Sequence, residues 1–106
     1  MPRGILYVES WPDLPERTAE YHRWYADIHI PEMLAIEGIV SARRLEPLSG
    51  DGGFVAQYEV EADDLAAVQA RMGARARSGE MSKPVAVRSD PPPTVRLLRE
   101  ISTHTP

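Results

Sequence analysis

Residues 21–31 read YHRWYADIHIP, and they place three aromatic side chains and two histidines within nine residues, ahead of a proline. The whole chain is only 7% aromatic, so this segment holds a large share of its Trp and Tyr. At the 100° per residue of an α-helix, four apolar residues fall on one arc and the charged residues fall largely on the other. We therefore predict an amphipathic helix whose aromatic side packs into the core. The apolar arc consists of Tyr21, Trp24, Tyr25 and Ile28.

Both ends of this helix carry sequence signals. Asp13 stands three residues before Glu16, with Pro15 between them, a pattern typical of a helix start with a capping-box-like pair. Pro31 lacks a backbone N–H and disfavours α-helical geometry in the residue before it, so we predict that the helix breaks or kinks there. His29 is then expected at a helix end.

The flanking segments alternate between strand and helix signals. Gly38 is placed to end a short second helical piece in a left-handed conformation, and the SGDGG run at 49–53 predicts a hairpin-type connection. Asp63 is a candidate N-cap for a later helix that ends before Gly79. We predict strands at 4–9, 39–48, 54–60 and 94–101, the short helical piece at 31–36, the later helix from 65, and a loop at 80–93.

This order of elements, β-α-β-β-α-β, predicts a single domain over residues 1–106 with an α+β, ferredoxin-like fold. In that fold a four-stranded antiparallel sheet carries two helices on one face. The first strand offers apolar residues at both alternations, Ile5 and Tyr7 on one side and Leu6 and Val8 on the other. The second face therefore needs a cover, and we predict a homodimer that packs sheet against sheet.

Composition excludes several classes of protein. The 106 residues are 42% hydrophobic and 26% charged, which is ordinary for a globular domain. A net charge of −4 argues against a nucleic-acid partner, which would need a clustered basic face. No apolar run approaches the about 18 residues of a membrane span and no leader pattern is seen, so we expect no membrane partner and no signal peptide. The absence of Cys excludes disulfides and thiolate chemistry and suits a reducing, cytoplasmic location.

One motif in the helix resembles the EthD-like family of the dimeric α+β-barrel superfamily, and the specific part of the likeness covers residues 21–44. The resemblance implies a dimeric α+β barrel with a pocket between helices and sheet, in which His29 is the position most often polar. Members of the superfamily include polyketide cyclases, anthrone-type monooxygenases, muconolactone isomerases, decarboxylases and haem-binding proteins. The motif reads aromatic-x-x-Trp-Tyr-x-x-x-His-x-Pro, formed by Tyr21, Trp24, Tyr25, His29 and Pro31, and is followed by Gly38 and Ile39.

His29 is the first candidate for a catalytic residue, because an imidazole titrates near neutrality and can move a proton on or off an acidic carbon or phenol. The alternative is a structural role, in which His29 satisfies a backbone carbonyl exposed by Pro31. His22 lies on the same flank of the helix and is a further candidate. Seven residues of helix separate the two histidines by about 10.5 Å, too far for one ion. We therefore predict no metal and no required cofactor, with haem ligation through His29 as an alternative.

Other polar and aromatic residues complete the predicted site. Tyr25 lies between the two histidines in projection and is the second catalytic candidate, because its hydroxyl could hold a substrate oxygen. Its alternative role is that of a core tyrosine. Arg43 and Arg44 point to opposite faces of one predicted strand, so one of them is expected to reach inward. The predicted substrate-binding residues are Trp24, Tyr7, Tyr58, Arg43 and Glu32, the last as a carboxylate partner of His29.

These features together predict a cofactor-independent enzyme that uses His29 as general acid/base on an aromatic, polyketide-type or lactone small molecule. The reactions that fit are cyclisation, isomerisation and decarboxylation. Two alternatives stay open. One is a monooxygenase, either cofactor-free or haem-dependent, and the other is a non-catalytic dimer that binds a small molecule or stabilises a partner. The chain has no Gly-rich phosphate loop and no nucleophile elbow, so nucleotide-binding and hydrolase functions have no support.

Overall fold

The computed structural model describes all 106 residues of the chain. A long helix in three segments follows the first strand, and a second helix precedes the last strand. In order, the elements are β1 (Arg3–Ser10), a 3₁₀ turn (Pro15–Arg17), α1 (Thr18–Trp24), a π-helical segment (Tyr25–His29), α2 (Ile30–Leu34), β2 (Ile39–Leu45), β3 (Phe54–Glu61), α3 (Leu65–Ser78) and β4 (Thr94–Arg99).

The four strands form one antiparallel sheet in the order β2-β3-β1-β4. The long helix connects β1 to β2, and α3 connects β3 to β4. The predicted α+β class, with a four-stranded antiparallel sheet and two helical connections, is therefore confirmed, and the arrangement is compatible with a ferredoxin-like fold. Neither helical connection combines the length and the hydropathy needed to cross a membrane.

One face of the sheet packs against the helices. Leu6 on β1 lies between Tyr58 of β3 and Leu97 of β4 in the strand register. Leu6 and Tyr58 belong to a single core cluster with Tyr21 of α1 and Met33 of α2, and Leu97 packs against that cluster. Because side chains alternate along a strand, every second residue of the central strands contributes to this core.

The opposite face of the sheet is not covered within one chain. Ile5 lies there between Glu59 of β3 and Leu98 of β4, and Leu45 pairs with Val55. Leu45 and Leu98 are 42% and 38% exposed. This open face, made by the odd-numbered residues of β1 and β3 and their neighbours on β2 and β4, mixes apolar and charged side chains.

The predicted break of the helix at Pro31 is not found. Ile30 has φ −60° and ψ −48°, and Pro31 lies within α2. One turn earlier the helix widens into a π turn, in which the N–H of Ile30 donates to the carbonyl of Tyr25. Pro31 thereby occupies a first-turn position of α2, where its missing N–H is tolerated. His29 consequently lies inside a continuous helical path and not at a helix end.

The predicted capping of the long helix is also wrong. Leu14 holds the N-cap position of the 3₁₀ turn without any side-chain hydrogen bond to the backbone. Asp13 instead forms an ion pair with Arg17, which also bonds to Glu20. Asp13 and Glu20 therefore bond to the Arg17 side chain and not to backbone N–H groups at the start of the helix.

The ends of α3 follow the predicted chemistry with a shift of one residue. The N-cap is Asp64 and not Asp63, since the Asp64 carboxylate accepts a hydrogen bond from the Ala66 N–H at 3.1 Å. At the other end, Gly79 follows the last helical residue, as predicted, and takes a left-handed conformation with φ +83°. Both ends of the helix are thus satisfied by local groups.

The loop at 80–93 contains no helix or regular strand, as predicted, but it is tied to the segment after β1. The N–H of Asp13 donates to the carbonyl of Ala86, and the N–H of Arg88 donates to the carbonyl of Trp11, each at 2.8 Å. These two bonds hold the loop beside the segment that follows the end of β1.

Gly38, between α2 and β2, packs closely against α3, and a substitution there measures how tight this packing is. It has φ +100°, and a Cβ there would lie 2.6 Å from Cγ2 of Val68. We expect Gly38→Ala to lower the free energy of unfolding by about 3 kcal/mol, through backbone strain and overpacking together. Urea unfolding followed by circular dichroism measures the change.

The matched control is Gly50→Ala. Gly50 also has a positive φ, +82°, but a Cβ there would meet nothing within 4 Å. We expect a cost of about 1 kcal/mol from the backbone alone. Equal costs at the two positions would contradict close packing of Gly38 against α3.

Candidate functional site

An apolar cavity of about 230 Å³ lies between the long helix, α3, the loop at 80–93 and strands β1 and β4. Nine of its thirteen lining residues are hydrophobic, and none is Asp, Glu, Lys or Arg. Such an apolar cavity with few polar groups is typical of small-molecule sites. The lining residues are Val8, Trp24, Tyr25, His29, Met33, Met72, Gly73, Ala76, Met81, Pro84, Val87, Pro93 and Val95.

The π turn decides which residues of the long helix meet in this cavity. Residues five apart lie about 140° apart around an α-helix, whereas a π turn bonds residues five apart and brings them closer in projection. The rings of Trp24 and His29 accordingly stack, with centroids 4.6 Å apart and an interplanar angle of 18°. Tyr25 meets the same imidazole edge-on at 5.2 Å. The turn therefore gathers three predicted site residues at one wall.

His29 is held as a neutral imidazole at neutral pH. Burial lowers the pKa of His29 to about 4; the Glu32 carboxylate opposes this, and Arg44 adds a smaller lowering. Its Nδ1 is buried without a hydrogen-bond partner, and so is Nε1 of the stacked Trp24. Buried polar atoms normally find partners, so these two nitrogens are exceptions within the packed wall, and neither is exposed to the cavity itself.

Behind the cavity wall, three hydroxyl groups form a chain. The Ser10 hydroxyl lies 2.6 Å from the Tyr21 hydroxyl and 3.1 Å from the Tyr25 hydroxyl, and all three residues are buried. Burial raises the pKa of both tyrosines, against the effect of the Ser10 bond. Both phenols are therefore protonated at neutral pH, and the Tyr25 hydroxyl connects the cavity wall to an internal donor and acceptor chain.

Arg44 places a positive charge beside the two buried tyrosines. Its guanidinium lies 4.3 Å from the ring centroid of Tyr25 and 5.4 Å from that of Tyr21. One of its N–H groups donates to Nδ1 of His22 at 3.0 Å. Because a cation over an aromatic face favours the phenolate, Arg44 partly offsets the burial that raises the pKa of Tyr25.

Two of the predicted substrate-binding residues lie outside the site. Tyr7 and Arg43 are on the open face of the sheet, where Arg43 donates to the side chain of Gln57 at 3.3 Å. The predictions for both are wrong within one chain, because the strand register directs odd-numbered residues of β1 and β2 away from the helices. Of the two adjacent arginines, the one on the helix side is Arg44.

Glu32 also differs from its predicted role. Its carboxylate makes no hydrogen bond to His29, and it accepts from the backbone N–H of Ser82 at 2.9 Å and from the Ser82 hydroxyl at 3.1 Å. Met81 and Pro84, on either side of this contact, line the cavity. Glu32 therefore fastens the loop that forms one wall of the cavity.

Two further candidates lie near the cavity without lining it. His22 packs edge-on against Phe54 at 4.6 Å and accepts from Arg44, on the far side of Tyr25 from His29. Tyr58 lies on the covered sheet face with a buried hydroxyl that has no partner, and burial strongly raises its pKa. The structure thus brings Trp24, Tyr25 and His29 together and separates the others from them.

Sequence reasoning missed Ser10. It ends β1, directly before a Trp-Pro pair, and its side chain is 1% exposed. A serine at the end of an apolar strand carries no pattern that distinguishes a buried hydroxyl from a turn residue. Only the position of Tyr21 and Tyr25 above it explains why a hydroxyl is needed there.

The side chains offer no obvious metal centre. No group of three or more His, Cys, Asp or Glu side chains lies close enough together to hold an ion.

Protein-family models, curated proteins and solved structures give no significant match to this chain. The interpretation of the cavity therefore rests on its own geometry.

The burial of His29 predicts an acid-sensitive stability. The unfolded chain binds a proton at His29 below about pH 6.5, whereas the folded protein binds it only below about pH 4. Unfolding therefore takes up a proton between these values, and the free energy of unfolding falls as the pH is lowered through this window, by up to about 3 kcal/mol. Denaturant unfolding at a series of pH values measures the slope, which we expect His29→Gln to reduce.

His22→Gln serves as the comparison. Burial and Arg44 also lower the pKa of His22, so its contribution has the same sign, but this imidazole is less buried. We expect its replacement to change the pH slope less than His29→Gln does. Superimposable slopes for the parent protein and His29→Gln would show that His29 is not held neutral by burial.

Proposed function

We propose that this protein is a cofactor-independent acid/base enzyme that acts on an aromatic, polyketide-type or lactone small molecule, with His29 as the proton-transferring group. The observation that carries the proposal is the His29 imidazole, kept neutral by burial, in the wall of an otherwise apolar cavity. Cyclisation, isomerisation and decarboxylation are the reactions that such a group can promote.

His29 is suited to act first as a base. Its lowered pKa keeps the imidazole unprotonated at neutral pH, ready to accept a proton from an acidic carbon or hydroxyl of the substrate. The enolate or phenolate that forms then lies beside an imidazolium, and this new ion pair favours the protonated ring. The same nitrogen can afterwards return the proton to another atom of the substrate, so that no net proton is consumed in an isomerisation.

Tyr25 is suited to hold the oxygen on which negative charge develops. Its hydroxyl can donate to that oxygen while it accepts from Ser10, which is 3.1 Å away and in turn is 2.6 Å from the Tyr21 hydroxyl. Arg44, 4.3 Å from the Tyr25 ring centroid, strengthens this donor by its charge. A hydrogen-bond donor fixed before the reaction stabilises the anion without reorganisation.

The family assignment and the dimer belong to the same proposal. The Tyr21–Pro31 motif and the α+β topology support membership of the EthD-like family, whose members are dimeric α+β barrels. The open face supports a sheet-to-sheet dimer, because Ile5, Val55 and Leu98 would otherwise remain in contact with water. In such a dimer the odd-numbered residues, including Tyr7 and Arg43, form the interface.

A second candidate function is binding without catalysis. The cavity wall has only two ionisable residues, Tyr25 and His29, and a pKa of about 4 makes His29 a weak base before any substrate anion is present. A protein that only binds an apolar ligand would have this lining as well. Tight binding with no turnover of any member of a substrate panel would favour this second function.

Replacing His29 tests the catalytic role. We expect His29→Ala to lower kcat/KM by about 10²- to 10⁴-fold on an enolisable substrate, the usual contribution of a positioned general base. In the parent enzyme kcat/KM should stay constant from neutral pH down to about pH 5 and fall as the pH approaches 4, because only the unprotonated ring is active. Stopped-flow or steady-state rates across this range provide the measurement.

The control variant is His104→Ala, which removes an exposed imidazole outside the cavity. We expect it to retain the parent rate to within about threefold, since a surface substitution away from the site changes little. An unchanged kcat/KM in His29→Ala would exclude the assigned role.

The proposed dimer is tested by mass. We expect light scattering at micromolar concentration to give about twice the 11.8 kDa of the chain. Ile5→Glu, in the middle of the open face, should give the monomer mass because a buried charge without a partner is strongly disfavoured. Leu48→Glu, at a hairpin residue that is 98% exposed, should remain dimeric. A parent protein of 11.8 kDa would exclude the dimer.

A further inference from the structure

Arg77 places a positive charge beside the cavity wall. It lies four residues after Gly73 on α3, about one turn of helix, and Gly73 lines the cavity. A Cβ on Gly73 would lie 3.1 Å from Nη1 of Arg77 and 3.9 Å from its Cζ, so the guanidinium folds back over the glycine. Long helical side chains lean toward the helix N-terminus, which is the direction of this contact. The cavity therefore has a cation at its rim, although no lining residue is charged.

The Arg77 guanidinium has no partner within the chain. Arg71 of the same helix donates to the carbonyl of Glu37 at 2.9 Å. Arg75 donates to the carbonyl of Ala35 at 3.5 Å. Arg77 itself is exposed and donates to no group, and no carboxylate lies within 4.0 Å of it. An arginine with free N–H groups can bind a carboxylate through two parallel hydrogen bonds.

Two carboxylates flank methionines of the cavity lining, and both are held by serines. Glu32 accepts from the N–H and the hydroxyl of Ser82, at 2.9 and 3.1 Å. Glu80 accepts from the hydroxyl of Ser78 at 2.9 Å. Lys83, on the loop that forms one wall, is exposed and adds a second cation without an ion pair. The guanidinium on α3 is therefore free for an anion from outside the chain.

The interior of the cavity is lined almost entirely by apolar surface. Nδ1 of His29 and Nε1 of Trp24 are buried in the packed wall, and the Tyr25 hydroxyl is bonded to Ser10. The rest of the lining is methionine, valine, proline, alanine and glycine. Methionine side chains adapt their shape, so they pack well against a flexible hydrocarbon chain. The part of a ligand that enters the cavity therefore needs to be apolar, and its polar group belongs at the rim.

We propose that this cavity binds an amphipathic monocarboxylate, whose hydrocarbon chain lies in the cavity while its carboxylate pairs with Arg77 at the rim. The ligand class follows from the apolar interior and the unpaired guanidinium together. At about 230 Å³ the cavity is below the range of about 300–1,000 Å³ that is common for ligand sites, which favours a chain of medium length. The inference shares with the proposed function the premise that this cavity is the ligand site, but it does not depend on catalysis by His29.

Two probes with the same chain, octanoate and octanamide, test the charge preference by calorimetry at neutral pH and low salt. We expect octanoate to bind about fivefold more tightly, because only the carboxylate forms a charged pair with the guanidinium. From hexanoate to octanoate the affinity should rise by about threefold to fourfold for each methylene that enters the cavity. Equal or tighter binding of octanamide would overturn the proposal.

Two arginine variants locate the contact. Arg77→Gln should bind octanoate and octanamide with affinities within about twofold of each other, because the charged pair is lost while the apolar contacts remain. Arg23→Gln removes an exposed arginine of α1 that does not line the cavity, and it should keep the parent preference. A preference for octanoate that persists in Arg77→Gln, held by Lys83 or another cation, would overturn the assignment.

Gly73→Ala tests the same contact without weakening the helix. A methyl group there would crowd Nη1 of Arg77, the end of a flexible side chain that can move away. Alanine is favoured over glycine inside a helix, so we expect the midpoint of thermal unfolding to rise while the preference for octanoate falls. A Gly73→Ala protein that keeps the full preference would contradict a carboxylate site over Gly73.

The role of His29 separates this inference from the proposed enzymatic function. His29→Ala should keep the preference for octanoate, and a preference lost there but kept in Arg77→Gln would overturn the inference. A preference that depends on Arg77, with no turnover of any substrate, would remove the catalytic proposal and support the carboxylate site. Turnover of uncharged substrates that depends on His29, with no preference for octanoate, would support catalysis and overturn the carboxylate site.

Discussion

The burial of an aromatic helix stripe against one sheet face is the interaction on which the rest of this structure depends. Tyr21 and Tyr25 are buried over the end of β1, and aromatic side chains of this size contribute much of the apolar area in a small core. Their hydroxyls are buried with them and would be costly without partners. Ser10 meets both hydroxyls, so the packing of the helix produces an internal polar chain as a direct consequence.

The π turn decides which side chains of the long helix lie in the cavity wall. It carries the helix past Pro31 and places His29 on Trp24, inside an apolar wall rather than on the helix flank predicted by regular α-helical spacing. The same apolar surroundings lower the pKa of His29 and leave its nitrogen unpaired. π turns in helices often occur at functional sites. Here the π turn moves one imidazole into a buried, apolar environment.

The remaining candidate residues lie on two different faces of the sheet. Strand alternation assigns Arg44 to the helix side and Arg43 to the open face, and it separates Tyr58 from Tyr7 in the same way. Arg44 does not line the cavity; its guanidinium lies over the ring of Tyr25, which does. Glu32, expected beside His29, instead holds the loop that closes one side.

The sequence alone determined the order of strands and helices, the aromatic helix stripe and the left-handed conformation of Gly38. These features follow from local periodicity, capping chemistry and backbone sterics, which depend on residues close together in the chain. The tertiary structure decided the rest. The continuous path through Pro31 and the contact of Ser10 with two tyrosines depend on hydrogen bonds and packing with partners distant in sequence, and so does the choice of Arg44 over Arg43. The lowered pKa of His29 also depends on the tertiary structure, because the imidazole is buried only when helix, sheet and loop enclose it.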